Sequence, residues 1–321
     1  MIKSKSNPFI SILIMAFLSL ALILVYQFIN INPKIFEFTM NIRTPKMIGM
    51  VIAAFCIGTA SIVFQSIISN RIVTPCLLGM NSLYILIHTG IAFVFGTTSF
   101  VMTNGNIAFI LDIAIMGVVA TLIYGFLFKK TNYNILYVLL AGTVLATFFT
   151  SVSSSMTRVM DPNEYDNLLS TLVAGFDHIN TEIIIISLVL IVLVICVFYK
   201  DIKILDVLTL GKNQAINLGV DYDRSITRLL IAVTFFITIA TALVGPISFL
   251  GLIIANLGRE MLKTYKHSYL MLASFFAGLI VLFLGQTLIE HVFGFGVLIS
   301  VFIQILGGGY FLYLILKEAK N

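Results

Sequence analysis

The sequence predicts an all-α polytopic membrane protein of about ten transmembrane helices, with both termini cytoplasmic. Three observations carry this. Of 321 residues, 60% are hydrophobic and only 10% charged, with a mean hydropathy of +1.08. Soluble domains carry about 25% charged residues, so this chain lacks the polar surface to cover a water-facing globule. Apolar runs of about 20 residues, the length that crosses a bilayer, follow one another along nearly the whole sequence. Finally, the cations sort: ten spans put fifteen of the 19 Lys and Arg on one side and only Lys34, Arg43, Lys46 and Arg158 on the other. Cytoplasmic loops carry that excess, and nine spans would scramble it.

Lys3 and Lys5 precede an apolar run over 9–29 that lacks a small-residue cleavage site, so it reads as a retained first span rather than a signal peptide. Further spans fall at 47–68, 77–95, 107–128, 135–156, 183–198, 226–244, 246–258, 269–289 and 297–316. The eighth is short and punctuated by glycine, which predicts a broken or strongly tilted segment. Leu168–Phe176 is too short to span and is expected as a short helix in an outer loop. The whole chain, 1–321, is expected to form one transmembrane domain with two long polar connections. One, 157–182, faces outside and is acidic (Asp161, Glu164, Asp166, Asp177, Glu182); the other, 200–225, faces inside.

Several functions are excluded by what these residues lack. The net charge of +5 is dispersed among loops with no basic stripe, so no nucleic-acid partner is expected. Cys56, Cys76 and Cys196 stand far apart, and no Cys/His cluster suggests a metal or a cofactor held by this chain. No phosphate-binding loop, zinc-protease motif or Ser/His pair appears, so the protein reads as a non-enzyme, and any ATP hydrolysis must lie on another subunit. Asp112 and Glu290 are expected to reach the membrane interface. His88, His178, His267 and His291 do not cluster in sequence, and no proton relay assembles from this set, which weighs against an ion-coupled carrier.

Two polar faces stand out. Ala54, Gly58, Ser61 and Gln65 share one face of span 2, where small residues also suit close helix packing. Thr143, Thr147, Thr150 and Ser154 repeat the spacing in span 5, and four hydroxyls in line suggest a water-accessible pathway for a large polar solute.

Five segments in order then resemble one family, the FecCD-type permease subunits of ATP-driven importers for iron–siderophore complexes, haem and cobalamin. Arg43-Thr44-Pro45-Lys46 is similar to Arg-x-Pro-Arg, and the stretch from Asn70 through Pro75 to Leu78-Gly79 resembles Asn-Pro-Leu-x-x-Pro-x-x-Leu-Gly. Leu208-Thr209-Leu210-Gly211 with Ala215 and Leu218-Gly219-Val220 matches the Leu-x-Leu-Gly-x-x-x-Ala-x-x-Leu-Gly-Val of the family's cytoplasmic loop. Gly245-Pro246-Ile247-Ser248-Phe249-Leu250-Gly251-Leu252 resembles Gly-Pro-Ile-x-Phe-x-Gly-Leu, and the run from Gly307 to Leu314 resembles the last-span motif. Arg71 stands where a proline is common, Ala255-Asn256 where Pro-His is common, and Gly309 where a proline is common. These departures look like the branch handling catecholate or mixed-type siderophores.

The resemblance implies a type II importer permease architecture with cytoplasmic ATP-binding subunits, a second permease (a homologous heterodimer over a homodimer) and an extracellular or lipid-anchored siderophore-binding protein. It implies receptor docking at Arg43 and Lys46. ATPase coupling falls on Leu210, Gly211, Ala215, Leu218 and Gly219, with Asn213–Leu218 as a coupling helix whose Ala215, Ile216 and Leu218 bury against the partner. The pathway would be lined by Gln65, Thr143, Thr147, Thr150 and Ser154. A cytoplasmic gate would form at Asn70 and Ile72, with the loop near Asn134 opposite. Transport would proceed by alternating access; haem or cobalamin is the alternative cargo, and a secondary carrier the alternative mechanism.

Overall fold

The computed structural model describes residues 8–318 apart from 32, 132–134, 177, 178, 180 and 295. Lys3, Lys5, Lys320, Asn134, Asp177 and His178 therefore lie outside the described residues. The helices are α1 (Pro8–Phe28), α2 (Phe36–Ile68), α3 (Met80–Phe95), α4 (Phe100–Thr103), α5 (Gly105–Lys130), α6 (Ile135–Thr157) and α7 (Pro162–Leu172). There follow α8 (Thr181–Lys203), α9 (Leu205–Leu208), α10 (Lys212–Asn217), α11 (Tyr222–Val244), α12 (Leu250–Met261), α13 (His267–His291) and α14 (Ile299–Glu318). Among the described residues, seven helices are long and apolar enough to cross a membrane, and each matches an expected span. The other three expected spans correspond to the shorter α3, α12 and α14.

Burial divides the helices into a centre and a periphery. Helix α2 packs against α11, α12 and α13, and α11 also packs against α5 and α8. The apolar windows of α2 and α11 are 78% and 72% buried, against 17% for α1 and 22% for α6. A helix apolar on all sides yet buried on one face is what a lipid boundary selects. In α1, Met15, Ser19 and Tyr26 mark the inward stripe, and Tyr26 packs edge-to-face on Phe283 of α13 at 5.6 Å.

Two boundaries differ from expectation. Helix α2 begins at Phe36, eleven residues before the expected start at 47. Pro45 signals a helix start because its missing N–H is harmless there, yet here it sits inside a 33-residue helix, about 50 Å long. The short helix expected in the outer loop is Pro162–Leu172, not Leu168–Phe176. Asp161 fixes its start by accepting from the Asn163 N–H at 2.9 Å, with Pro162 in the first turn. Residues after Leu172 leave the helix and run back into the bundle, where Gly175 N–H donates to Val244 O at 3.0 Å.

The turn between α2 and α3 is held tightly. Pro75–Leu78 forms one 3₁₀ turn, Tyr124 donates to Leu78 O at 2.5 Å, and Gly79 has φ +88°. A Cβ on Gly79 would sit 3.0 Å from Ala146 Cα of α6. Gly79→Ala therefore combines left-handed strain with a backbone clash. The expected loss is about 2 kcal/mol or more, read as a lowered melting temperature of the detergent-purified protein, while Gly90→Ala, inside α3 with nothing within 4 Å of the new methyl, does not lower it and raises it slightly.

Candidate functional site

Four groups of residues could carry function, and they lie at different places on the bundle. The first is the connection between α8 and α11, at the end that also carries Arg71, Arg228 and Arg259, called here the basic end. Helix α10 spans Lys212–Asn217, within one residue of the expected coupling helix. It closes with Val220 N–H bonded to Ala215 O at 3.0 Å and Gly219 N–H to Ile216 O at 2.9 Å. That paired pattern needs a left-handed residue after the last turn, and Gly219, at φ +81°, supplies it.

The faces of this helix correct one expectation. Ala215 is 0% exposed within the chain, so it anchors α10 and does not meet a partner. Leu210, Ile216 and Leu218 are at least half exposed and form the available apolar surface. Leu208 is buried and holds the segment down. Lys212 Nζ lies 2.8 Å from both carboxylate oxygens of Asp223, pinning α10 to the start of α11. Asp206 accepts from the His267 backbone N–H at 2.9 Å and contacts the His267 ring, tying α9 to α13.

The second group is the turn after α2. Asn70 Oδ1 accepts from Ile72 N–H at 2.8 Å, shaping the bend. Gln65 Nε2 and Asn256 Nδ2 both donate to Arg71 O, at 2.8 and 2.9 Å. Gln65 is therefore a buried fastener of this turn, at the wall of a cleft it shares with Arg71 and Arg259. The rest of its face is also packing: a Cβ on Gly251 would meet Ser61 Oγ, one on Gly278 would meet Ala54 Cβ at 3.0 Å, and one on Gly58 would meet Ser274 Oγ at 3.0 Å. Ile72 lines a cavity of about 120 Å³ with Thr74, Ser248, Phe249 and Phe311, which places the expected gate residue against α12 and α14.

The third group is the hydroxyl stripe of α6. Thr143, Thr147, Thr150 and Ser154 are all exposed, on a face turned away from the core of this chain. Thr143, Thr147 and Thr150 each donate to a carbonyl of their own helix, and Thr150 Oγ1 also lies 3.2 Å from Ser82 Oγ of α3, whose hydroxyl can donate to it. On the flank of the stripe, buried Ser153 donates to Thr89 Oγ1 of α3 at 2.9 Å. The stripe is thus displayed outward on a helix fastened along one edge to α3.

The fourth group was missed by sequence reasoning. Asp112 of α5 and His88 of α3 do not reach the interface; they are 2% and 6% exposed and meet, Nδ1 to Oδ1, at 3.0 Å. The two atoms are close but poorly aligned for a hydrogen bond. Tyr84 lies against the imidazole at 4.5 Å between ring centroids. The two partners stand on separate spans, so no local spacing could reveal them. Glu290 is also engaged, accepting from Tyr26 at 3.1 Å and Gln286 at 2.8 Å.

The expected docking cations face a different task. Arg43 Nη1 donates to Tyr26 O, Gln27 O and Ile29 O at 2.9–3.3 Å, capping the carbonyl end of α1. Lys46 is only 9% exposed. Both lie inside α2 rather than at its start.

The sequence profile of the FecCD transport family matches residues 8–317. The chain is 41% identical over 302 residues, 94% of its length and 96% of the relative's, to the petrobactin import system permease protein YclO of Bacillus subtilis. It is 33% identical to the petrobactin import system permease protein FatC of Bacillus anthracis, over 86% of this chain and 78% of that one. A solved structure described as an inward-facing metal-chelate type ABC transporter shares the fold with a TM-score of 0.80 at 19% identity, covering 97% of this chain and 100% of its own. The chain therefore belongs to the FecCD transport family: it is a multi-pass permease of a bacterial membrane importer, not an enzyme, and it works with ATP-binding subunits and a substrate-binding protein.

Proposed function

We propose that this chain is the permease subunit that carries a ferric siderophore, of catecholate or mixed type, into the cytoplasm. The observation that carries the reading is the 41% identity over nearly the whole chain to a petrobactin import permease. Iron arrives already chelated, so the permease only has to pass a large polar solute. The uncharged hydroxyl face of α6 suits that task, because it offers weak hydrogen bonds without a charge that would trap the complex.

In this reading the basic end is cytoplasmic, and both termini lie there. A second, homologous permease packs beside α6, so that Thr143, Thr147, Thr150 and Ser154 line a path between the two. Receptor docking is assigned to the end carrying Arg43 and Lys46. Because Arg43 caps α1 and Lys46 is buried, they act by shaping that surface more than by presenting free charge. ATP binding moves α10, Asn70 and Ile72 gate the inner side, and access alternates.

The test is reconstitution in vesicles with the second permease, the ATP-binding subunits and the receptor. Radiolabelled iron–petrobactin is expected to enter only with ATP, while haem and cobalamin stay outside. Thr147→Phe should cut uptake at least tenfold without changing complex assembly. Uptake without ATP, or of haem in preference, would overturn the assignment.

A further inference from the structure

The arginines of the basic end divide into two classes. Arg228 Nε lies 2.8 Å from Asp201, and Arg224 Nε lies 3.5 Å from Asp221. Arg71 and Arg259 have no ion-pair partner among the described residues. They converge instead on a cleft of about 420 Å³, lined also by Ser66, Asn70, Thr209, Tyr265 and His267. Arg259 donates through Nη2 to Ser66 Oγ at 3.0 Å, and its Nε is buried with no partner.

The nearby acids are taken. Asp206 is bound to His267, and Glu260, on the adjoining rim, already has an interaction of its own. A buried N–H left unmet costs about 1–3 kcal/mol, and two like charges side by side add to that. One incoming carboxylate relieves both, because a guanidinium fork matches a carboxylate with two parallel hydrogen bonds. The cleft opens beside the α8–α11 connection, since Thr209, the residue that ends α9, forms part of its wall. The exposed Leu210 and Leu218, which flank α10, belong to that same connection.

We propose that Arg71 and Arg259 form a socket for an Asp or Glu side chain of the ATP-binding subunit, an electrostatic contact beside the apolar one at α10. The inference rests on the cytoplasmic coupling reading of that end. Arg71 is the working handle, because it is exposed and its side chain does not hold the fold. The backbone carbonyl that fastens the turn survives any substitution there.

The experiment measures association of the purified permease complex with its ATP-binding subunit at low and high salt. Arg71→Glu should weaken it at least tenfold at low salt, flatten the salt dependence and leave the melting temperature unchanged. One acid-to-arginine change in the ATP-binding subunit should restore the affinity. If Arg71→Glu has no effect while Leu218→Glu weakens association, the socket alone is overturned. If neither variant has an effect, the socket and the coupling reading fall together. Weakened binding of phosphatidylglycerol vesicles by Arg71→Glu with subunit association intact makes the cleft a lipid site and also overturns the proposal.

Discussion

Replacing Leu218 by Glu is expected to stop ATP-driven uptake while the permease stays folded and in the membrane. Leu218 is 62% exposed at the end of α10, and Ile216 and Leu210 lie exposed beside it. Burying one such leucine against a partner is worth about 1.5–3 kcal/mol. A carboxylate in its place removes that gain and adds the cost of desolvating a charge. A loss of at least tenfold in ATPase stimulation is therefore expected, with the melting temperature within a degree or two of the wild type. Ala215 gives the opposite outcome, since its side chain is enclosed. Ala215→Glu should unseat α10 itself and lower expression, so a position that the motif alone marks as a contact serves as the control for folding.

The largest effect on stability is expected at the buried pair of α3 and α5. His88→Leu or Asp112→Leu leaves the partner's polar group buried without its contact, which costs about 1–3 kcal/mol for a neutral group and more for a charged one. The double variant His88→Leu with Asp112→Leu removes both and should recover most of that loss. A double-mutant cycle on the detergent-purified protein reads the difference directly. Simple additivity of the two single losses would show that the contact, at 3.0 Å, contributes nothing of its own. Uptake should fall with the single variants too, because Thr89 and Ser82, which fasten α6, sit on the same helix as His88.

The spans were legible because hydrophobicity over 20 residues is a property of the local chain. The coupling helix was legible for a similar reason: a six-residue helix closed by Gly219 is written in consecutive residues. What failed to show was everything decided between helices. Pro45 looks like a boundary from its neighbours, yet α2 runs through it, with Arg43 and Thr44 just before it bonded to the end of α1. Leu168–Phe176 is the more apolar stretch, but Asp161 and Pro162 set the start of the helix, and the apolar tail is drawn back toward Val244. His88 and Asp112 stand 24 positions apart, and no period joins them. The span-2 stripe had two readings in the sequence, and the glycines of α12 and α13 that face it decide for packing.

Arg71 and Asn256 each differ from the usual family residue, and in sequence they look like two unrelated drifts 185 positions apart. The hydrogen bond from the Asn256 amide to the Arg71 carbonyl makes them neighbours. Because the acceptor is backbone, position 71 can change its side chain without losing that bond, so residue 256 should answer to the path of the turn while residue 71 is left free to answer to what the cleft receives.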